Sequence, residues 1–183
     1  VVLNTPGIWY LNDLHSEDGF HCLGSTIPGL PGVLLGHNED IAWGITLAFT
    51  DVEDIFVEKV DVTDPEKYEY LGEPHNFELI EEVIQVKGED DHVEKIQYTA
   101  HGPLIGSVTE HSSQAIALCS KSLQPNTILE GFLKINVATN WDDFSKGVEK
   151  IQAPQLNLTY SDIQGNIGLY ISGGVPIRKK WLW

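Results

Sequence analysis

At 183 residues, with 42% hydrophobic content and five tryptophans, the chain is read as a single domain spanning residues 1–183. A chain of that size buries about 70% of its unfolded surface, which excludes disorder. A formal net charge of -16 excludes a nucleic-acid binder and speaks against anionic membrane surfaces, because both partners require clustered Lys and Arg.

The elements follow in chain order. Residues 26–32 form a loop punctuated by Pro28, Gly29, Pro31 and Gly32. Residues 30–60 read as strands separated by a turn at Asn38-Glu39-Asp40. Residues 79–87 and 92–99 are β-rich runs around Gly88-Glu89-Asp90-Asp91, which predicts a hairpin with a short acidic turn. Residues 114–119 read as another strand. Helical spacing occurs twice: over 126–138, with Ile128, Phe132 and Ile135, and over 140–151, with Trp141, Phe144, Val148 and Ile151 on one face. Asn140 is the expected cap of the second helix, and Asp142 and Asp143 suit its positive end. A last hairpin joins Leu156–Asp162 to residues 166–171 around Gly165. Strands dominate and one helix pair sits near the end, so the pattern is α+β. No apolar run reaches the roughly 18 residues that cross a bilayer. Residues 1–20 lack the basic and apolar regions of a signal peptide, so none is expected there.

Several residues invite a chemical reading. Asn157 stands between Leu156 and Leu158, where a buried amide needs partners; from the residues alone it is a satisfied core amide. Asp51, Glu53 and Asp54 have hard-cation ligand chemistry, but three acids in four residues also occur in any acidic protein. Arg178 precedes Lys179 and Lys180 and reads as part of a solvated basic end. His37 and His101 lie in glycine-bearing turns and read as structural, and the histidines show no zinc spacing. Asn38 and Trp43 are expected to shape the neighbouring loop and core. Ser25 and Ser120 lack the setting of a nucleophile elbow. Cys22 and Cys119 read as buried free thiols, with a disulfide between them left open.

The segment 24–56 resembles the penicillin acylase (penicillin amidase) family of N-terminal-nucleophile hydrolases. Its marks are Pro28, Gly29, Gly36-His37-Asn38, Ile41-Ala42-Trp43-Gly44 and the acidic triplet. Pro6-Gly7-Ile8-Trp9-Tyr10 is similar to the family's PxxWY element, and Thr99-Ala100-His101-Gly102-Pro103 to its T-x-H-G-P. Pro154-Gln155-Leu156-Asn157, Tyr160-Ser161-Asp162, Gly165-Asn166-Ile167-Gly168 and Ile177-Arg178 are similar to its C-terminal block.

The resemblance implies part of a four-layer αββα sandwich. It implies that Asn157 donates its side-chain N–H to a tetrahedral oxyanion, and that the Leu47 main-chain N–H is the second donor. Arg178 would orient the Asn and the reacting groups, and Asp51, Glu53 and Asp54 would bind a structural calcium, Glu53 through its carbonyl. No organic cofactor is implied. The substrate would be a small-molecule acyl amide: an N-acyl β-lactam, an N-acyl homoserine lactone or similar. The partner would be the remainder of the precursor, including its α chain, and the parent would be periplasmic or secreted. Two departures stand out. Val1 has no nucleophilic atom where a catalytic Ser would open the β chain, so the chain reads as a β-chain fragment, inactive when isolated. Cys119-Ser120 replace an Arg-Trp pair of many relatives. Two other classes remain open at this point: a non-catalytic binding or scaffold module on the same fold, and a glycosidase-like enzyme using paired carboxylates.

Overall fold

The computed structural model describes residues 5–105 and 114–178. In chain order the elements are β1 (Tyr10–His15), β2 (His21–Thr26), β3 (Leu35–Asn38), β4 (Ile41–Leu47), β5 (Glu53–Glu58), β6 (Lys67–Tyr70), β7 (Glu73–Asn76), β8 (Glu78–Ile84), β9 (His92–Tyr98), β10 (Ala115–Ser120), α1 (Ile128–Asn136), α2 (Trp141–Val148), β11 (Leu156–Asp162) and β12 (Ile167–Ile171). The content is therefore α+β and strand-dominated, with one helix pair. Contacts divide it into two units: Val1–Val52 with Lys121–Trp183, and Glu53–Ser120. No helix among the described residues is long and apolar enough to cross a membrane.

The first unit is built on a six-stranded sheet in the order β1-β2-β3-β4-β11-β12, with every neighbour antiparallel. Side chains alternate across a strand, so each strand offers one set to each face. One set (Cys22, Trp43, Leu158 and Tyr160) joins Phe132, Ile135, Phe144, Val148 and Ile151 of the helical segment in a single core. Burial pushes the Cys22 thiol up to about 11. Both cysteines are free, Cys22 buried and Cys119 only half-buried. The other set includes Ile167, Leu169 and Ile171, which are exposed.

Both helices are shorter than their spacing suggests. The Asn126 Oδ1 accepts the Ile128 N–H at 3.0 Å, so α1 opens two residues later than expected. Past α2, the Lys150 and Ile151 amides bond to Gly147 and Val148 in tighter turns. Asn140 caps α2 as expected, its Oδ1 accepting the Asp143 N–H at 2.9 Å. The helices meet at Gly131, where a Cβ would stand 2.7 Å from Ile151 Cγ1 and 2.9 Å from the Gly147 carbonyl. Asn38 ties the β3–β4 turn to the end of α1. Its Nδ2 donates to the Ala138 carbonyl at 2.8 Å, and its Oδ1 accepts the Asp40 and Ile41 amides at 2.9 Å each. Trp43 is buried, with Nε1 donating to the Leu34 carbonyl at 3.0 Å. The segment that forms the second unit leaves the first after Val52 and returns at Lys121, whose N–H donates to the Val52 carbonyl at 3.4 Å.

The second unit holds three antiparallel pairs: β5 with β10, β6 with β7, and β8 with β9. The β8–β9 hairpin turns where the sequence predicts. Buried Glu58 is its polar centre, accepting the Thr99 hydroxyl at 2.7 Å and lying 2.9 Å from His101 Nδ1. The His101 ring stacks on Phe56 with centroids 3.9 Å apart. His101 thus has structural partners within this unit.

Candidate active site

Strands β4 and β11 carry the two groups expected to meet. Their register sets Leu47 opposite Leu156, Thr46 opposite Asn157 and Gly44 opposite Thr159. Leu156 and Leu158 point into the core, at 5% and 0% exposure. Strand alternation therefore turns Asn157 to the opposite face, so it is not the core amide that its leucine neighbours suggest. On that face its Nδ2 donates to the Thr46 Oγ1 and to the Leu47 carbonyl, at 3.2 Å each.

Leu47 ends β4 with its side chain exposed and is not a core leucine. The next residue, Ala48, donates its N–H to the Gln155 carbonyl at 3.0 Å. Hydrogen-bonded and non-hydrogen-bonded pairs alternate along an antiparallel ladder, so the Leu47 N–H turns away from β11. The Asn157 side-chain amide and the Leu47 carbonyl thus meet across a sequence separation of 110 residues.

The backbone changes course after Leu47. Phe49 has φ 51°, in the left-handed region, and its side chain is 89% exposed. The Thr50 hydroxyl is buried and has no hydrogen-bond partner among the described residues. Arg178 anchors the far end of this loop. Its guanidinium lies 3.4 Å from the Asp51 carbonyl and 3.3 Å from Asp51 Oδ1. With its side chain only 18% exposed, Arg178 is not a solvated basic end. Among the described residues, Asn157 bonds to Thr46 and Leu47, while Arg178 bonds to Asp51. Lys179, Lys180 and Val1 lie outside the described residues.

The acidic triplet is engaged within the protein. Asp51 pairs with Arg178, and Glu53 Oε1 accepts the Ser120 hydroxyl at 2.8 Å. Among the described residues, no group of three or more His, Cys, Asp or Glu side chains is placed to hold a metal ion. The three acids therefore do not form a complete ligand set by themselves. The Tyr160-Ser161-Asp162 and Gly165-Asn166 motifs lock a turn. Asp162 Oδ1 accepts the Gln164 and Asn166 amides, and its Oδ2 accepts the Asn166 side chain and the Tyr160 hydroxyl. The Asn166 side chain, with the turn amides, holds the Asp162 carboxyl below the usual carboxylate range. Burial, with the bond to Asp162, pushes the Tyr160 hydroxyl up to about 12.

Thr46 was not singled out from sequence. Only the register of β4 on β11 reveals it as a partner of Asn157, and that register depends on strands distant in the chain.

Comparison with known proteins places the chain in a family. The penicillin amidase family model matches residues 1–182. An acyl-homoserine lactone acylase of Pseudomonas fluorescens (strain Pf0-1) is 30% identical over 183 residues, covering 97% of this chain and 22% of the relative. Penicillin G acylase of Escherichia coli is 30% identical over 177 residues, covering 96% of this chain and 20% of the relative. The solved structure of a thermostable penicillin G acylase from Alcaligenes faecalis superposes with a TM-score of 0.77 at 30% identity, covering 92% of this chain and 30% of that one. The relatives named are acylases. The chain belongs to the penicillin amidase family, and it spans about a fifth of the length of the curated relatives it matches.

Proposed function

We propose that these residues form the oxyanion-binding part of an amidohydrolase that cleaves an N-acyl amide by acyl transfer. The observation that carries this reading is the Asn157 carboxamide standing on the Leu47 main chain, 3.2 Å from its carbonyl. The Asn157 side-chain N–H and the Leu47 N–H donate to the oxygen that gains charge as the acyl carbon becomes tetrahedral. Because both amides are held by the sheet before substrate arrives, little reorganisation is needed at the moment of reaction. Asn157 gives up one of its two resting bonds, a neutral one, for a stronger bond to a charged oxygen.

The attacking N-terminal serine and the acyl pocket are assigned to the rest of the precursor, including the α chain, since the chain covers about a fifth of its relatives. The isolated 183 residues are then expected not to turn over amide. The exposed sheet face bearing Ile167, Leu169 and Ile171 would receive the second sheet of an αββα sandwich. The side chain of a β-lactam or an acyl-homoserine lactone is the substrate class suggested by the relatives' names. Asp51, Glu53 and Asp54 would contribute to a structural calcium site completed by ligands from elsewhere in the precursor.

The experiment is Asn157→Ala in the complete, processed enzyme, assayed with chromogenic phenylacetyl and long-chain acyl amides. A fall in kcat of about 10²–10³-fold is expected. An unchanged kcat overturns the oxyanion reading. For calcium, thermal melting of the same enzyme at millimolar calcium should show a rise, and a flat response removes the metal.

A further inference from the structure

We infer that Thr46 is a positioning residue for the oxyanion site, holding the Asn157 carboxamide ready until substrate replaces it. The inference rests on the oxyanion reading above. Thr46 lies directly opposite Asn157 in the β4–β11 ladder, and its Oγ1 accepts one Nδ2 proton at 3.2 Å. The second Nδ2 proton goes to the Leu47 carbonyl, also at 3.2 Å.

The two acceptors do different work. The Leu47 carbonyl is fixed by the backbone and accepts only, so it decides which end of the amide faces it: a flipped amide would set Oδ1 against another carbonyl oxygen. The Thr46 hydroxyl can donate or accept and can rotate about its C–O bond, so it fixes the plane of the amide without choosing its end. Threonine is β-branched and stiff at χ1, so Oγ1 stays in place while the strand does. The proton held by Thr46 is therefore the exchangeable one. An oxyanion takes it over in a charge-assisted bond, and the hydroxyl releases it without breaking any main-chain contact.

The nearly isosteric Thr46→Val removes the acceptor and keeps a strong strand former at an exposed position. In the processed enzyme, kcat for an acyl amide should fall about 10-fold, with KM changed less than twofold, since only the transition state uses the freed proton. Thr46→Ser should restore most of kcat. A tetrahedral phosphonate analogue of the acyl amide should bind about 10-fold more weakly to Thr46→Val, while a planar amide product binds as before. Thr46→Ala carries the same test if the valine variant does not fold. Asn157→Ala is run alongside. If Asn157→Ala lowers kcat but neither Thr46→Val nor Thr46→Ala does, the positioning role is overturned while the oxyanion reading stands. If kcat falls in Thr46→Val and is not restored by Ser, Thr46 acts by packing and the inference is overturned. If Asn157→Ala leaves kcat unchanged, the underlying reading falls first and the inference with it.

Discussion

The side-chain amide of Asn136 pairs with both main-chain groups of Val33: its Oδ1 accepts the Val33 N–H and its Nδ2 donates to the Val33 carbonyl, each at 2.7 Å. Both residues are buried, so the last residue of α1 completes hydrogen bonds for a segment that has no strand partner there. Replacing Asn136 by Leu leaves two buried backbone groups without partners, each costing roughly 1–3 kcal/mol. Asn136→Leu should therefore lose about 2–4 kcal/mol in denaturant unfolding. A loss under 1 kcal/mol would show that water reaches these groups.

Gly168 packs against the indole of Trp141, and a Cβ built there would clash with the ring's Cζ3 and stand 2.8 Å from its Cη2. Gly168→Ala must displace that ring or the strand, at about 1–3 kcal/mol. Adding Trp141→Leu removes the clash, so the double variant should be less destabilised than the sum of the two single changes. Strict additivity in thermal melts would disprove the contact.

Phe49 combines a left-handed backbone with a side chain that is almost fully exposed, so it bears strain without the return of burial. Glycine adopts that conformation freely but loses more chain entropy on folding. The balance favours Phe49→Gly by about 0.5–1 kcal/mol in stability. A destabilised glycine variant would mean that the Phe49 ring has packing partners in solution.

His21 sits between two carboxylates, with Nδ1 2.7 Å from Glu39 Oε1 and Nε2 2.9 Å from Asp13 Oδ1. Only the doubly protonated ring donates to both. The Glu39 bond first, and the Asp13 bond after it, raise the imidazole above its ordinary value of about 6.5. A raised folded value stabilises fully below about 6.5 and is lost as pH rises through the folded value. The melting-temperature gap between the unaltered protein and His21→Gln should be widest near pH 6 and narrow on going to more alkaline pH. A gap that grows with pH would contradict this pairing.

The sequence announces some elements far better than others. The β8–β9 hairpin is legible because β-rich runs flank a Gly-Asp turn, and α2 because Asn140 and four apolar residues mark its cap and one face. Strands β1 and β2 escape notice because Asn12, Asp13 and Gly24 weaken the strand signal at the edge of the sheet. The β6–β7 hairpin hides for another reason. It turns through Leu71 and Gly72, both at positive φ, where the usual signal is Asn-Gly. Strand β7 also contains Pro74, which demotes it on sight.

At the candidate site, the motifs pointed to Asn157 and Leu47, and strand register brings the two together. What single residues could not say was which face Asn157 takes, because its leucine neighbours suggest a core and the sheet has a second, open face. Nor could they say that Arg178 bonds to Asp51, since the two residues are 127 apart in sequence.

The excursion between Val52 and Lys121 has a practical consequence. Its two ends stand side by side, with the Lys121 N–H donating to the Val52 carbonyl, so the excursion already closes on a narrow seam. Bridging that seam with a turn of about two to four residues gives an abridged protein in which the separation of Asn157 and Leu47 along the chain falls from 110 residues to about 45, with the helix pair still between them. Loop closure would then demand less entropy, and the sheet should assemble faster than it does with the full insertion in place.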